Sequence, residues 1–437
     1  MSSFIETRRA VLAGSAALAS SFLLPGAGRA QAQGKPFDGQ PIVHWSFLSP
    51  EGKSVREQAI KLHEEAFRKE TGINVAFEIY PFAELARRLV TAVQANTQPD
   101  VTRVGWESIP MVSKAGALSP LDAYIEKAFD AEQRKDFLID YSPALLTNGQ
   151  KTTMQLETIS HALFVRKDWL ERAGMKPPRT WSDVVEFGKK VSGDGRWGYG
   201  FFGGKQQLVH AVYLQPHIHG RGGRILGDDG KATFTDDAAV RAYKFLSDCV
   251  HVHKITPPDV VNMSWEDQTD AFRTGKLAMF IDGSHRYRDH ARAVGADNIL
   301  LVEIPSDDPA KPSPTPLTGW SMGIPKGAKT PDAAWQYIQF YLRPEVQAAN
   351  ARIAGALPSR RSAAGDPYFK TPEAAYLQWW LDYTAANSEP MINVPTASRL
   401  TEAMVDALHE VILKPNSDIA AVLRRAAAGY DRVAQQQ

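Results

Sequence analysis

Apolar and polar residues alternate along the chain in two different periods, which predicts strands separated by amphipathic helices. Residues 42–47 form an apolar run typical of a strand. In residues 55–66 the apolar side chains recur every three or four positions, which places them on one face of a helix. Residues 73–79 alternate again, residues 83–95 return to helical spacing, and residues 101–104 predict a third strand. A helix between two strands returns the chain in the same direction, so we expect an α/β fold that starts with parallel strands.

Helical periods dominate the later part of the chain. Residues 236–252, residues 330–342 and the stretch from Thr401 onwards predict helices. Thr180 followed by Asp183 is a typical N-cap pattern and predicts the start of another helix. No internal repeat interrupts this organisation.

The first 32 residues have the features of an export signal. Arg8-Arg9 precedes an apolar run over residues 10–24, and Ala30-Gln31-Ala32 has the small-x-small form of a signal-peptidase site. The run is shorter than the roughly 20 residues of a typical transmembrane helix. Paired arginines ahead of such a run are typical of the twin-arginine (Tat) route. We therefore expect residues 1–32 to be a Tat-type signal peptide and the mature protein to be soluble and periplasmic.

The composition fits a globular protein without a strongly charged partner. The 437 residues include 50 Lys and Arg against 49 Asp and Glu, a formal net charge of +1. Loss of Glu6, Arg8, Arg9 and Arg29 with the signal peptide changes this balance to −1. Nucleic-acid-binding surfaces are strongly basic, so no nucleic-acid partner is expected. The single cysteine, Cys249, excludes an intramolecular disulfide and zinc sites built from several thiolates, and we expect it in the core.

Motifs for cofactors, metals and catalysis have little support. Residues 198–203 match G-x-G-x-x-G, but no apolar strand precedes them, so a glycine-rich surface turn with two buried aromatic residues is expected instead. Histidine pairs at positions 217/219 and 251/253 have an i, i+2 spacing, which converges on a metal only from a strand. We expect no cofactor and no metal. Carboxylates such as Glu107 and Glu157 keep glycoside hydrolysis open as an alternative.

Several motifs, taken in order along the mature chain, resemble one known family. They are Gln98-Pro99-Asp100-Val101 before the third strand and blocks at residues 115–122, 162–174, 177–181, 271–279, 282–284, 319–327 and 355–360. In this order and spacing they resemble the sugar-type extracellular solute-binding proteins of bacterial ABC importers, the maltose-binding-protein-like family. One position departs from the pattern, since His285 stands where the family usually has tryptophan.

The resemblance implies an α/β, two-lobed periplasmic binding protein fold with the ligand cleft between the lobes. Lobe I would comprise residues 38–156 plus 304–342, and lobe II residues 157–303 plus 343–437. Closure around a ligand is a population shift driven by tighter binding to the closed state. The closed form would be presented to the membrane subunits of an ABC permease, and we expect the protein to be a monomer.

A sugar ring has apolar C–H faces and polar edges, so its site needs aromatic platforms together with carboxylates, amides or guanidinium groups. Ligands of parallel sheets bind at strand ends, where Trp45 and Trp106 lie. His217 falls in a predicted loop over residues 215–220, and the resemblance places Glu157 at the first crossing between lobes. The candidate ligand-binding residues are Trp45, Trp106, Glu107, Glu157, His217, His285, Arg286, Gly319, Trp320, Arg360 and Arg399.

The sequence thus predicts the periplasmic substrate-binding component of an ABC transporter, which captures a sugar or sugar derivative by lobe closure and delivers it to the permease. His285, Arg286 and Arg360 leave open an anionic ligand, such as a glycerol phosphate diester or an acidic or sulfonated sugar. A secreted carbohydrate-active hydrolase that uses Glu107 and Glu157 is a third hypothesis. The first two hypotheses assign no catalytic residue.

Overall fold

The computed structural model describes residues 40–137, 146–147, 149–205 and 208–435. The predicted signal peptide, residues 1–32, lies outside the described residues. The helices are α1 (Val55–Thr71), α2 (Phe82–Gln94), α3 (Ile109–Lys114), α4 (Asp122–Ala128), α5 (Ala131–Lys135), α6 (Lys167–Arg172), α7 (Trp181–Val191), α8 (Gln215–His219), α9 (Asp237–His251), α10 (Trp265–Arg273), α11 (Tyr287–Val294), α12 (Pro331–Tyr341), α13 (Pro344–Ala354), α14 (Ala375–Asn387), α15 (Ala397–Leu413) and α16 (Ile419–Ala434). Within these ranges no helix has both the length and the apolar character that a membrane crossing requires.

The strands form two main sheets and one small hairpin. They are β1 (Ile42–Ser46), β2 (Val75–Ile79), β3 (Val101–Gly105), β4 (Leu146–Thr147), β5 (Gln150–Lys151), β6 (Thr153–Ile159), β7 (His161–Arg166), β8 (Trp197–Gly200), β9 (Leu277–Gly283), β10 (Ile299–Val302), β11 (Thr315–Gly323), β12 (Leu357–Pro358) and β13 (Ser388–Pro390). Among the described residues, β4 and β5 pair only with each other.

The larger sheet begins with the strands that the sequence predicts first. β1 pairs in parallel with both β2 and β3, which confirms the parallel start of the fold. The sheet order is β12-β6-β11-β3-β1-β2, with β13 alongside β11. β11 runs antiparallel to β3 and to β6, so a strand from much later in the sequence lies inside this sheet.

The smaller sheet has the order β10-β7-β9-β8, and it carries an extensive apolar core. Helices α7, α9, α15 and α16 contribute to that core, with fully buried residues such as Val184, Leu246 and Leu423. Cys249 is buried in the same core, as expected from the sequence. The helices predicted over residues 236–252, over residues 330–342 and after Thr401 are confirmed as α9, α12, α15 and α16.

Two segments run side by side between the sheets. Ser160 alone separates the end of β6 from the start of β7. Thr315, the first residue of β11, lies against this junction, because its hydroxyl is 3.2 Å from Ser160 Oγ and accepts the backbone N–H of His161 at 2.9 Å. The junction is therefore a buried, hydrogen-bonded pair of chain crossings.

The residue ranges of the two lobes stay a prediction, and three elements bear on them. β6 remains in the larger sheet as far as Ile159. β12 pairs with β6 in that same sheet, and α13 packs against α1. These contacts associate residues 157–159 and residues 344–358 with the larger sheet.

Two local expectations are wrong. Residues 215–220, predicted as a loop, contain α8, which continues directly from a buried π-helical turn at His210–Leu214. A buried segment must pair its backbone polar groups, and helical turns do so internally. The glycine motif at residues 198–203, predicted as a surface turn, lies in β8 and a buried continuation. Its two aromatic residues, Phe201 and Phe202, are buried as expected.

Candidate functional site

Glu157 lies near the end of β6 at the centre of a buried group of charged side chains. Its Oε1 accepts hydrogen bonds from Arg56 Nη2 and, at 3.2 Å, from Arg103 Nη2. Glu157 is only 2% exposed. Arg56, Arg103 and Glu157 together form the Glu157 cluster. Hydrogen bonds between charged groups are stronger than those between neutral groups, so they hold the three side chains in fixed positions.

Three different elements bring the Glu157 cluster together. Arg103 is on β3 and Glu157 is on β6, and these two strands flank β11. Arg56 is in the first turn of α1, where Ser54 is the N-cap. The Ser54 hydroxyl accepts the Glu57 backbone N–H at 3.3 Å, and the Glu57 carboxylate accepts the Ser54 N–H at 3.1 Å. This reciprocal capping box fixes where the helix begins and therefore where Arg56 stands.

Aromatic rings border the Glu157 cluster. Phe47, just beyond the end of β1, packs on Trp320 with ring centroids 4.2 Å apart. The guanidinium groups of Arg56 and Arg103 lie 5.8 and 5.7 Å from the Phe47 centroid. Phe47 is half-buried, whereas Trp320 is only 8% exposed. Phe47 is therefore the more accessible ring of this pair, and it packs on the more deeply buried ring of Trp320.

Gly319 and Trp106 fit tightly against each other next to Trp320. A Cβ atom at position 319 would lie 2.7 Å from the Trp106 ring and would also collide with the Glu157 carbonyl oxygen. Trp106 is buried in an apolar cluster that includes Leu317. The close approach at Gly319 is thus made by protein atoms, which explains why a residue without a side chain is needed there.

Trp45 and Glu107 lie near the same strand ends but make other contacts in the described chain. Trp45 Nε1 donates to Glu78 Oε2 at 2.7 Å, and its ring packs on Tyr80 with centroids 4.6 Å apart. The Glu107 carboxylate folds back over Gly105. Burial raises the pKa of Glu107 to about 7. None of these contacts includes a member of the Glu157 cluster.

Three residues attached to the smaller sheet form a second group, the Trp265 wall, which consists of Trp265, His285 and Arg286. The Arg286 guanidinium lies 5.4 Å from the Trp265 ring centroid, and the His285 ring is edge-on to that ring at 6.2 Å. Burial, followed by the charges of Arg56 and Arg286, lowers the pKa of His285 well below its ordinary value. Ser284, next to His285, donates its backbone N–H to the Ser160 carbonyl at 2.8 Å, and Ser160 lies three residues beyond Glu157. The Glu157 cluster and the Trp265 wall are therefore carried by neighbouring segments of the chain.

Several buried nitrogen atoms of these two groups have no hydrogen-bond partner among the described residues. They are Arg103 Nε, His285 Nδ1 and Arg286 Nε. A buried donor left without a partner costs about 1–3 kcal/mol. A ligand rich in oxygen atoms would satisfy these nitrogens, so the region between the two groups is the candidate ligand site.

The remaining predicted site residues lie in other surroundings. His217 stacks on Trp181 with centroids 4.0 Å apart in the core of the smaller sheet, where burial and the Arg221 charge lower its pKa well below the ordinary value. Arg360 Nε donates to Asp136 Oδ2 at 2.6 Å. Arg399 is exposed on α15. The described contacts of these three residues do not include the Glu157 cluster or the Trp265 wall.

Of the predicted site residues, the structure brings Glu157, His285, Arg286 and Trp320 into this region, together with four neighbours that the sequence does not predict as site residues. Phe47 follows a predicted strand directly, a position from which it could have been selected. Arg103 is the one charged residue of a strand whose other residues are Val, Thr and Gly, which is itself an unusual feature. Arg56 and Trp265 carry no comparable feature, because their positions depend on how α1 and α10 pack.

A second buried carboxylate, Glu64 on α1, is connected to the same region. A narrow cavity lined by the Glu157 cluster also reaches Tyr341 of α12. The Tyr341 hydroxyl donates to Glu64 Oε1 at 2.8 Å, and the Tyr337 hydroxyl donates to the same oxygen. His44 Nδ1 lies 3.1 Å from the Tyr337 hydroxyl. Burial raises the pKa of Glu64 to about 7, although the hydrogen bonds from both tyrosines oppose this shift.

Glu64→Gln is expected to remove a pH-dependent loss of stability. The pKa of Glu64 is about 7 in the folded protein against an ordinary value of 4.5, so its protonation stabilises the fold fully below pH 4.5, and this contribution is lost as the pH rises to 7. Above pH 7 the variant should therefore exceed the wild type by up to about 3 kcal/mol in free energy of unfolding, whereas below pH 4.5 the two should agree. Urea unfolding at both pH values measures this difference.

The matched control for that experiment is Glu402→Gln, at an exposed glutamate that pairs with Arg399 on the surface of α15. Glu402→Gln should leave the difference in free energy of unfolding between the two pH values the same as in the wild type. Burial lowers the pKa of His44 to about 3 and that of His63 to about 4. Titration of these two histidines changes stability with pH in the direction opposite to that of Glu64. The change is the same in wild type and variant, so it cancels when their free energies of unfolding are compared. An equal stability difference at both pH values would contradict the raised pKa of Glu64.

Comparison with known sequences gives a match over most of the chain. The family described as bacterial extracellular solute-binding protein matches residues 50–348, which is more than half of the chain. A putative binding protein of Brucella abortus (strain 2308) is 26% identical over 377 residues, which cover 84% of this chain and 88% of that protein.

Two solved structures share the fold. The maltose-bound MalE3 of T. maritima is 24% identical with a TM-score of 0.79, covering 90% of this chain and 99% of that one. A solute-binding protein of an ABC transporter from Thermotoga lettingae TMO, bound with alpha-D-tagatose, is 20% identical with a TM-score of 0.78 and the same coverage. They confirm the predicted two-lobed periplasmic binding protein fold. The family match confirms the resemblance seen in the motifs, and the chain belongs to the bacterial extracellular solute-binding proteins, which bind solutes and are not enzymes.

Proposed function

We propose that this protein binds a sugar or sugar derivative between the Glu157 cluster and the Trp265 wall and delivers it to the membrane subunits of an ABC importer. The observation that carries the proposal is the position of Phe47 and Trp320 directly beside the Glu157 cluster. The aromatic face suits the C–H face of a sugar ring, and the charged groups suit its hydroxyls.

The polar groups of the site match a ligand with many oxygen atoms. One oxygen of Glu157 is occupied by two guanidinium groups, which orients the carboxylate and leaves its second oxygen to accept from a hydroxyl. The Nε atoms of Arg103 and Arg286 donate and need acceptors. A sugar hydroxyl both donates and accepts, so one ring can serve both kinds of group.

The alternatives have less support. The two structural neighbours bind maltose and tagatose, both neutral sugars, which favours a sugar over a glycerol phosphate diester or another anionic ligand. The hydrolase hypothesis requires Glu107 and Glu157 as an acid and a nucleophile or base. Glu157 is instead engaged by Arg56 and Arg103, and the family consists of binding proteins.

The cellular setting follows from the family and the N-terminus together. Membership of an extracellular family implies that the protein is exported. Export by the Tat route, a periplasmic location and a monomeric state without nucleic-acid partners are part of the proposal. The Arg8-Arg9 pair supports the Tat route, and the near-neutral charge supports the absence of a nucleic-acid partner.

A thermal-shift screen tests the proposed ligand class. We expect at least one of maltose, maltotriose and tagatose to raise the melting temperature, because a ligand that binds only the folded state stabilises it by mass action. Glucuronic acid and glycerol 3-phosphate test the anionic alternative in the same screen. A rise caused only by these two compounds would replace the neutral-sugar assignment, and no rise with any saccharide would refute the carbohydrate assignment.

A further inference from the structure

Asp282, near the end of β9, is a fully buried carboxylate that makes no contact with the Glu157 cluster in the described chain. Its Oδ1 accepts the indole N–H of Trp265 and the backbone N–H of Gly283, each at 2.7 Å. Its Oδ2 is 2.7 Å from His290 Nε2. Burying a carboxylate costs free energy unless hydrogen bonds compensate. The hydrogen bonds of Asp282 supply this compensation and at the same time hold its partners in place.

Trp265 is held in place from several directions. Its ring lies almost parallel to that of Phe202, with an interplanar angle of 14° and centroids 5.1 Å apart. It is the first residue of α10, whose N-cap Ser264 forms a capping box with Asp267. The indole N–H, the ring face and the backbone are therefore all restrained, although the side chain is only half-buried.

Arg286 supplies the guanidinium group of the Trp265 wall. Its guanidinium lies over the Trp265 ring, and Nη2 donates to Glu266 Oε1 at 3.3 Å. Its Nε is buried and has no partner among the described residues. A cation over an indole face is attracted to the ring, and a side chain ordered in advance loses less entropy when a ligand binds.

We propose that Trp265 positions the Arg286 guanidinium for the ligand and that Asp282 in turn positions Trp265. Arg286 is the binding residue, and its Nε–H donates to a sugar oxygen. Trp265 and Asp282 act through it, so ligand affinity depends on a buried carboxylate that does not touch the sugar. This inference rests on the proposed function, because it assumes a sugar between the Trp265 wall and the Glu157 cluster.

A double-mutant cycle separates positioning from a general structural role. Trp265→Leu is expected to weaken binding of maltose or tagatose about tenfold in the wild-type background and to have little further effect in Arg286→Ala. Trp379→Leu, at a half-buried tryptophan on α14 that packs on Tyr383, is the matched control and should leave affinity unchanged. Additive effects of Trp265→Leu and Arg286→Ala would overturn the proposal.

The role of Asp282 has its own readout. Asp282→Asn keeps an oxygen acceptor for the indole N–H and should retain most of the affinity that Asp282→Ala loses. In ¹⁵N-tryptophan NMR spectra, the Trp265 indole signal, assigned by its loss in Trp265→Leu, should shift in Asp282→Ala and in Arg286→Ala while the other indole signals stay. If Asp282→Ala is folded and its Trp265 indole signal is unchanged, the positioning role of Asp282 is overturned.

The two proposals fail in distinguishable ways. If no saccharide binds the wild-type protein, the proposed function fails and the ligand-binding role of Arg286 fails with it. The indole signal still reports in that case whether Asp282 holds Trp265. If a saccharide binds but Arg286→Ala leaves its affinity unchanged, only this inference is overturned.

Discussion

Glu157→Gln is expected to lower the free energy of unfolding by about 3 kcal/mol, because it leaves two guanidinium groups without their shared counter-charge. Arg103 is only 6% exposed, so its charge cannot be solvated without rearrangement. Arg56 is more accessible and can turn towards solvent, which keeps the expected loss at the lower end for a broken buried ion pair. Urea unfolding measures the loss, and sugar binding should weaken in parallel.

Two further variants make that result specific. Glu402→Gln removes an exposed carboxylate that also pairs with an arginine, and it should cost less than about 1 kcal/mol. Adding Arg103→Met to Glu157→Gln should restore part of the stability, because it removes a buried charge that has lost its partner. A loss in Glu157→Gln no larger than in Glu402→Gln would show that the Glu157 cluster is not held together by its charges.

Trp320→Ala is expected to cost about 4 kcal/mol in free energy of unfolding, since removal of a buried tryptophan leaves a cavity that the surroundings fill only partly. The lost contacts include the ring of Phe47 at 4.2 Å and the Arg103 guanidinium, 5.6 Å from the ring centroid. Without this support Phe47 is no longer fixed, so sugar affinity should also fall. Urea unfolding and calorimetric titration measure the two effects separately.

Phe47→Ala is the matched comparison for Trp320→Ala. Phe47 is half-buried at the edge of the site, so its removal should cost less stability than the removal of Trp320. Its expected effect on sugar affinity is at least as large, because it is the more accessible ring. An unchanged sugar affinity in Phe47→Ala, together with a loss of stability as large as in Trp320→Ala, would show that Phe47 does not contact the sugar.

The parallel start of the α/β fold could be predicted from local periods in the sequence, whereas the two-lobed arrangement is what the resemblance to the family implies. β1, β2 and α1 can be identified without knowledge of any distant contact from the apolar run at residues 42–47, the alternation in residues 73–79 and the helical spacing in residues 55–66. The insertion of β11 between β3 and β6 has no such local feature. Pairing between strands that are far apart in sequence is decided by packing of the whole domain.

The candidate site could be predicted only in part, because a residue type does not tell which neighbour its side chain meets. Trp45 and Phe47 both lie at the end of β1, yet Trp45 packs on Tyr80 and Phe47 packs on Trp320. β1 ends at Ser46, so the pleat that directs Trp45 no longer directs Phe47. The sequence predicts His217 in a loop, but its helix is buried in the core.

A crystal structure of the protein with the saccharide that gives the largest thermal shift would show where the sugar binds. We expect one sugar ring against Phe47, with hydroxyls in hydrogen-bond contact with Glu157 or Arg103 on one side and with Arg286 on the other. A sugar bound elsewhere would contradict this expectation. One such place is the groove between α15 and α16 that Ala407 and Val422 line.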